Sequence, residues 1–296
     1  MSRRLYSLLV ALLIPLALLR LLWRSRRAPA YRERWRERLA REPEPPAPVD
    51  VWLHAVSVGE VQAALPVLRH LLQQDVRVLV TTTTPTGAAR LRELLGDAAL
   101  HRYTPFDLPG IMSRFLDRAA PRLVLVMETE VWPNMLAACD ARGIQTMLVN
   151  ARLSARSARG YARVARFSAE TMRRFSCIAA QGAADAERFR ALGVDAARIV
   201  VTGSIKFDVQ PPASLTDRAE VLRRTWGNDR PVWVAASTRE GEDEQVLAAH
   251  ALVRADLPTA LLVLVPRHPE RFERVAALVR RAGFGLARRS LHEPCP

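Results

Sequence analysis

Six apolar, β-prone runs recur along the middle of this chain, at 51–56, 76–82, 123–127, 146–150, 177–180 and 199–202. Between them lie segments with apolar residues at three- and four-residue spacing, at 61–72, 87–95, 135–142 and 184–192. A run that is apolar at every position, rather than at every second one, reads as a strand covered on both faces. Such strands alternating with helices predict a doubly wound α/β domain built on a parallel sheet.

The beat breaks at Gln210-Pro211-Pro212 and then restarts. A helix is expected at 215–224, a strand at 232–236, a helix at 243–253, a strand at 261–265 and a helix at 269–282. Two strands are fewer than a doubly wound domain normally contains. The second α/β domain, 210–296, is therefore expected to be small or incomplete beside the first, 49–209.

Ahead of both lies an apolar stretch, 5–19. As a helix it would be about 22 Å long, and snorkelling of Arg20 would extend it over 21–23. Pro15 is tolerable in a membrane helix. The favoured reading of 1–24 is a retained anchor, either spanning the bilayer or lying at its interface. A cleaved signal peptide would end at Ala28-Pro29-Ala30, but Arg20, Arg24, Arg26 and Arg27 intervene where such a peptide is neutral. A buried core helix is the plain alternative. Segment 25–48 then reads as a basic collar and a Pro-rich linker. Arginines at 24, 26, 27, 32, 34, 36, 38 and 41 should hold the collar on the cytoplasmic side, against anionic lipid heads.

The formal charge of +14 calls for an anionic partner, and the collar accounts for part of it. No helix-turn-helix or zinc-finger pattern accompanies the charge, and aromatics are only 6%. A nucleic-acid partner is thus not expected. The three cysteines are far apart and lack CxxC spacing, which argues against a disulfide scaffold and a thiolate zinc site. GxGxxG, P-loop and GxSxG frames are also missing from the sequence.

Ligands of open α/β sheets bind beyond the carboxyl ends of the strands. Glu60 follows Ser57-Val58-Gly59 at such an end, suited either to general-base work or to favouring a helix dipole. Glu128 and Glu130 share the next such position. They could serve glycosyl chemistry, bind a metal or simply be solvated, although no nearby His or Asp cluster favours the metal. Lys206, in Gly203-Ser204-Ile205-Lys206-Phe207-Asp208, is the only lysine among 44 basic residues. It could meet a phosphate or a developing negative charge, or be a chance survivor in an Arg-rich composition. Arg267 is a natural phosphate clamp, and His268 beside it reads as a loop residue.

Seven blocks, HAVSVGEV, TTTTPTGAARL, YTPFDLPG, METEVWPN, NARLSARSARGY, TGSIKFD and VPRHPERF, carry a family likeness. In order and content they resemble the 3-deoxy-D-manno-octulosonic acid (Kdo) transferases of Gram-negative bacteria. The resemblance implies a GT-B fold of two Rossmann-like domains. It implies inverting transfer of Kdo from CMP-Kdo to a lipid A precursor, lipid IVA, without a metal or other cofactor, at the cytoplasmic face of the inner membrane. It further implies Glu60 as the proton acceptor, Glu130 and Lys206 as stabilisers of the transition state, and Pro266 and Arg267 as contacts to CMP.

The family's second domain continues past this point, and Leu291–Pro296 (LHEPCP) is unlike it. The sequence is accordingly expected to be a fragment or truncated product that binds CMP-Kdo weakly and turns over poorly or not at all. Two rival readings are another GT-B transferase with a different nucleotide sugar and a non-catalytic, membrane-tethered protein that captures anionic lipid.

Overall fold

The computed structural model describes residues 1–26, 28–42, 48–208 and 214–295. The core of the expected linker, 43–47, and the break at Gln210-Pro211-Pro212 lie outside the described residues. The chain divides into two compact units, Met1–Val209 and Gln210–Pro296.

The first unit opens with α1 (Arg3–Ser25) and two short 3-10 turns, Pro29–Arg32 and Trp35–Leu39. The α/β body follows as β1 (Val51–His54), α2 (Val58–Gln73), β2 (Val78–Thr82), α3 (Pro85–Leu95), β3 (Leu100–Tyr103) and α4 (Pro109–Ala119). It continues through β4 (Leu123–Met127), α5 (Pro133–Asp140), β5 (Gln145–Ala151), α6 (Ala155–Ala162), α7 (Ala165–Met172), β6 (Cys177–Ala180), α8 (Ala183–Ala191) and β7 (Ile199–Val201).

All seven strands are parallel, in the order β3-β2-β1-β4-β5-β6-β7. Successive residues of one strand feed opposite faces. Trp52, Val124 and Val126 pack with α4 and α5, whereas Val51, Leu53, Leu125 and Met127 pack with α2 and its neighbours. Two apolar layers on one sheet explain why the strand runs lack alternation. Helix starts are fixed locally. The Ser57 hydroxyl accepts from the Glu60 amide, the Thr84 hydroxyl accepts from the Gly87 amide, and Pro85, Pro109 and Pro133 stand at first helical positions.

Order reverses between β1 and β4, because the chain winds outward to β2 and β3 and then returns past β1. In open α/β sheets such a switch point, at the strands' carboxyl ends, is where ligands bind.

Part of the expected collar packs on the protein itself. Glu37 and Arg38 are buried against the sheet edge. Arg38 donates to the Thr83 carbonyl at 2.8 Å, and Arg34 to the His101 carbonyl at 2.6 Å. The Tyr103 ring lies 4.6 Å from the Arg38 guanidinium. These arginines hold the entering chain on the first unit, leaving Arg24, Arg26, Arg32, Arg36 and Arg41 exposed.

The second unit contains α9 (Ser214–Trp226), β8 (Val232–Thr238), α10 (Glu242–Asp256), β9 (Leu261–Pro266) and α11 (Phe272–Arg281). Its two strands are parallel neighbours. Val234 and Val265 remain 58% and 44% exposed, so this sheet is covered far less completely than the first.

Candidate active site

The loop after β1 and the loop after β4 meet at the switch point. Glu60 sits in the first turn of α2, where Ser57 is the cap. Its Oε2 accepts from the Val56 amide at 2.8 Å, and its Oε1 accepts from the Ser57 hydroxyl at 3.0 Å. The carboxylate reaches back over the helix start as in a capping box. The side chain thus braces the helix start while standing at the carboxyl end of β1.

Glu60 is 7% exposed. Burial pushes its carboxyl up to about 7, and the nearby Glu130 and Glu128 carboxylates push the same way. The Val56 amide and Ser57 hydroxyl pull in the opposite direction without cancelling the shift. A carboxylate poised near neutrality can exchange a proton with a hydroxyl at physiological pH.

Glu130 is raised as well, chiefly by burial and then by Glu128, against the indole hydrogen bond that favours its charge. That bond runs from Trp132 Nε1 to Glu130 Oε2 at 3.0 Å. The Trp132 ring meets His54 edge-on at 5.8 Å. His54 is fully buried, with Nδ1 2.9 Å from Thr81 Oγ1, and burial lowers it to about 3. Burial thus favours its neutral form.

Lys206 stands on a 3-10 turn, Ile205–Asp208, that packs against α2. Its Nζ lies 3.5 Å from Glu128 Oε1, and its side chain is 58% exposed. Gly203 enters this turn at φ +82°, a conformation that suits glycine. The buried Asn150, itself at φ +55°, accepts from the Ile205 amide at 3.3 Å through Oδ1. The structure thus brings Glu60, Glu128, Glu130 and Lys206 to one edge of one sheet.

Two supporting residues went unread in the sequence. Asp107 is 1% exposed and accepts from the Asn134 and Met135 amides at 3.0 and 2.7 Å, capping α5 from a distant loop. Tyr161 on α6 lies close enough to Glu130 to be raised by it, after burial. Neither carries a local signal, since each is defined by a partner remote in the chain. Among the described residues, no group of three or more His, Cys, Asp or Glu side chains could hold a metal ion.

Pro266 and Arg267 belong to the second unit. Pro266 ends β9 opposite Thr238, and Arg267 follows, exposed, with its amide donating to the Thr238 carbonyl at 3.0 Å. Beneath them the buried Asp243 accepts from the Thr238 hydroxyl at 2.7 Å and pairs with Arg271. This network, also unread in the sequence, fixes the carboxyl ends of β8 and β9.

Residues 33–209 match the family model for 3-deoxy-D-manno-octulosonic-acid transferase. The chain is 41% identical to the 3-deoxy-D-manno-octulosonic acid transferase of Haemophilus influenzae over 99% of this chain and 70% of that protein. It is likewise 41% identical to that of Bordetella pertussis, over 98% and 70%. The UDP-GlcNAc 2-epimerase of Neisseria meningitidis superposes with a TM-score of 0.57 at 14% identity, over 79% of this chain and 69% of that one. A likeness at such low identity reports the fold alone, an α/β architecture of GT-B type.

Proposed function

The chain belongs to the 3-deoxy-D-manno-octulosonic acid transferase family, glycosyltransferases of lipopolysaccharide synthesis, and from that premise we propose that it moves Kdo from CMP-Kdo to the sugar hydroxyl of a lipid A precursor, with Glu60 as the general base. The observation that carries the assignment of the base is the Glu60 carboxyl, buried at the switch point and pushed up to about 7.

Inversion at the anomeric carbon needs one base on the acceptor hydroxyl, opposite the departing nucleotide. Glu60 takes that proton as the new bond forms. Glu130, oriented by the Trp132 indole, and Lys206, held by Glu128, border the reacting centre and stabilise its changing charge. Pro266 and Arg267 would hold CMP, the guanidinium meeting its phosphate. A leaving group with one phosphate carries less charge than a diphosphate, so a fixed cation suits it. The acceptor reaches the site from the membrane, where α1 and the exposed collar arginines keep the protein.

The test is an assay in detergent with CMP-Kdo and lipid IVA, the product identified by mass. Wild-type chain should yield an acceptor heavier by one or more Kdo units, and Glu60→Gln should not. Equal turnover with another nucleotide sugar would overturn the donor assignment. Full activity of Glu60→Gln would overturn the base.

A further inference from the structure

α1 runs for 23 residues, about 34 Å, and so is long enough to cross a bilayer. Length does not decide whether it crosses. Its pattern of shielding does. Tyr6, Val10, Ile14, Leu18 and Leu21 are half-buried and Ser25 is buried. Their spacing of three and four residues marks one helix face that is more shielded than the rest. On the opposite side Leu5, Leu8, Leu12, Leu16, Leu19 and Trp23 are 48–65% exposed.

The start of the helix is tied to the α/β body, and its finish to the 3-10 turn that follows it. At the start, the Ser7 hydroxyl donates to Asn134 Oδ1 at 3.1 Å and the Tyr6 ring lies 5.9 Å from Phe167. At the finish, Arg32 donates to the Ser25 hydroxyl at 2.7 Å and Arg24 lies 4.5 Å over the Tyr31 ring. The chain then enters the collar, where Arg38 is buried. A helix crossing the bilayer would carry one end some 30 Å away from the unit it anchors.

Charge gives an independent reason. Arg3 and Arg4 precede the apolar run, and Arg24 and Arg26 follow it, all exposed. Arginine at both flanks disfavours moving either flank across the membrane. Beside the first turns of α1, through the Tyr6–Phe167 contact, lie α7 and its neighbour α6. Here Arg156, Arg159, Arg163 and Arg166 are exposed and have no acidic partner among the described residues. They suit an anionic headgroup layer.

We propose that α1 lies in the plane of the membrane, its outer leucine face sunk into one leaflet, with both ends on the side of the catalytic unit and the α6 arginines seated on anionic headgroups. The partner is the surface of an anionic bilayer, and the proposal does not rest on the reaction assigned above. It also places α6, whose Tyr161 borders Glu130, at the lipid surface.

The test is a protease-cleavable epitope placed before Met1 in the full chain, expressed in a bacterium. Inverted membrane vesicles should lose the epitope to added protease, and intact spheroplasts should keep it. The reverse pattern, or a chain missing from the membrane fraction, would overturn the proposal. A second measurement uses vesicles of one-third phosphatidylglycerol in phosphatidylcholine. Replacing Arg156 and Arg159 together by Ala should weaken binding about thirtyfold, from about 1 kcal/mol for each arginine at the surface. Unchanged binding would overturn the contact at α6.

Discussion

The two units solve one architectural problem to different degrees. In the first, the central strand β1 is buried along its whole length, with helices against both faces. In the second, β8 and β9 leave Val234 and Val265 in the open. The chemistry differs in step. The first unit buries Glu60 beside other carboxylates and shifts its protonation, whereas the second pairs its buried Asp243 with Arg271 and presents Arg267 in the open. A dry site requires a finished core around it.

The largest test of that contrast is a pair of truncations. Trp52→Ala removes a fully buried ring and should cost the first unit about 3–5 kcal/mol in urea unfolding. Val234→Ala should cost under about 1 kcal/mol, because the side chain is already half-solvated. Similar losses would erase the distinction.

Next is the rate. Glu60→Gln should lower transfer by about a hundredfold or more, as loss of a general base does. In the wild type, activity should rise with pH through about 7, as Glu60 loses its proton. A rate flat between pH 6 and 8 would contradict a base of this kind.

The same substitution sharpens the stability comparison. A carboxyl raised on folding binds its proton more tightly in the native state, so native stability declines as pH rises from about 4.5 through about 7. Glu60→Gln keeps the helix cap but removes that penalty. It should gain on the order of 2 kcal/mol over wild type at pH 8 and nothing at pH 4, by denaturant midpoint.

Smaller still is the effect of neighbouring charge. Glu128→Gln removes one anion near Glu60 and releases Lys206, so the midpoint of the pH–rate curve should move about half a unit toward acid. In the second unit, Arg267→Ala should leave stability within about 0.5 kcal/mol and raise KM for the donor.

The sheet was legible because burial on both faces leaves an unbroken apolar run, as at 123–127. The edge strand β3, Leu100-His101-Arg102-Tyr103, was missed: Leu100 is 39% exposed, so no apolar run survives there. Helix α6 escaped for a related reason, since it buries no residue fully and only the small apolar side of Ala158 and Tyr161 packs against the core. The positions of Glu60, Glu130 and Lys206 at strand ends were readable from local pattern and from the resemblance. Their convergence was not, because it depends on strand order, which no local pattern encodes. Asp107 and Asn150 illustrate the same limit: each stabilises backbone that lies far along the chain.

Strand order also has a temporal side. β1 and β4 are adjacent in space, but two strands and three helices are made between them. Until that late pairing closes, the surroundings that raise the Glu60 carboxyl are incomplete. Its unusual proton affinity is therefore acquired rather than inherited from the residue, and a chain arrested before Met127 would lack it. Titrating that one carboxyl would report whether the middle of the sheet has zipped shut.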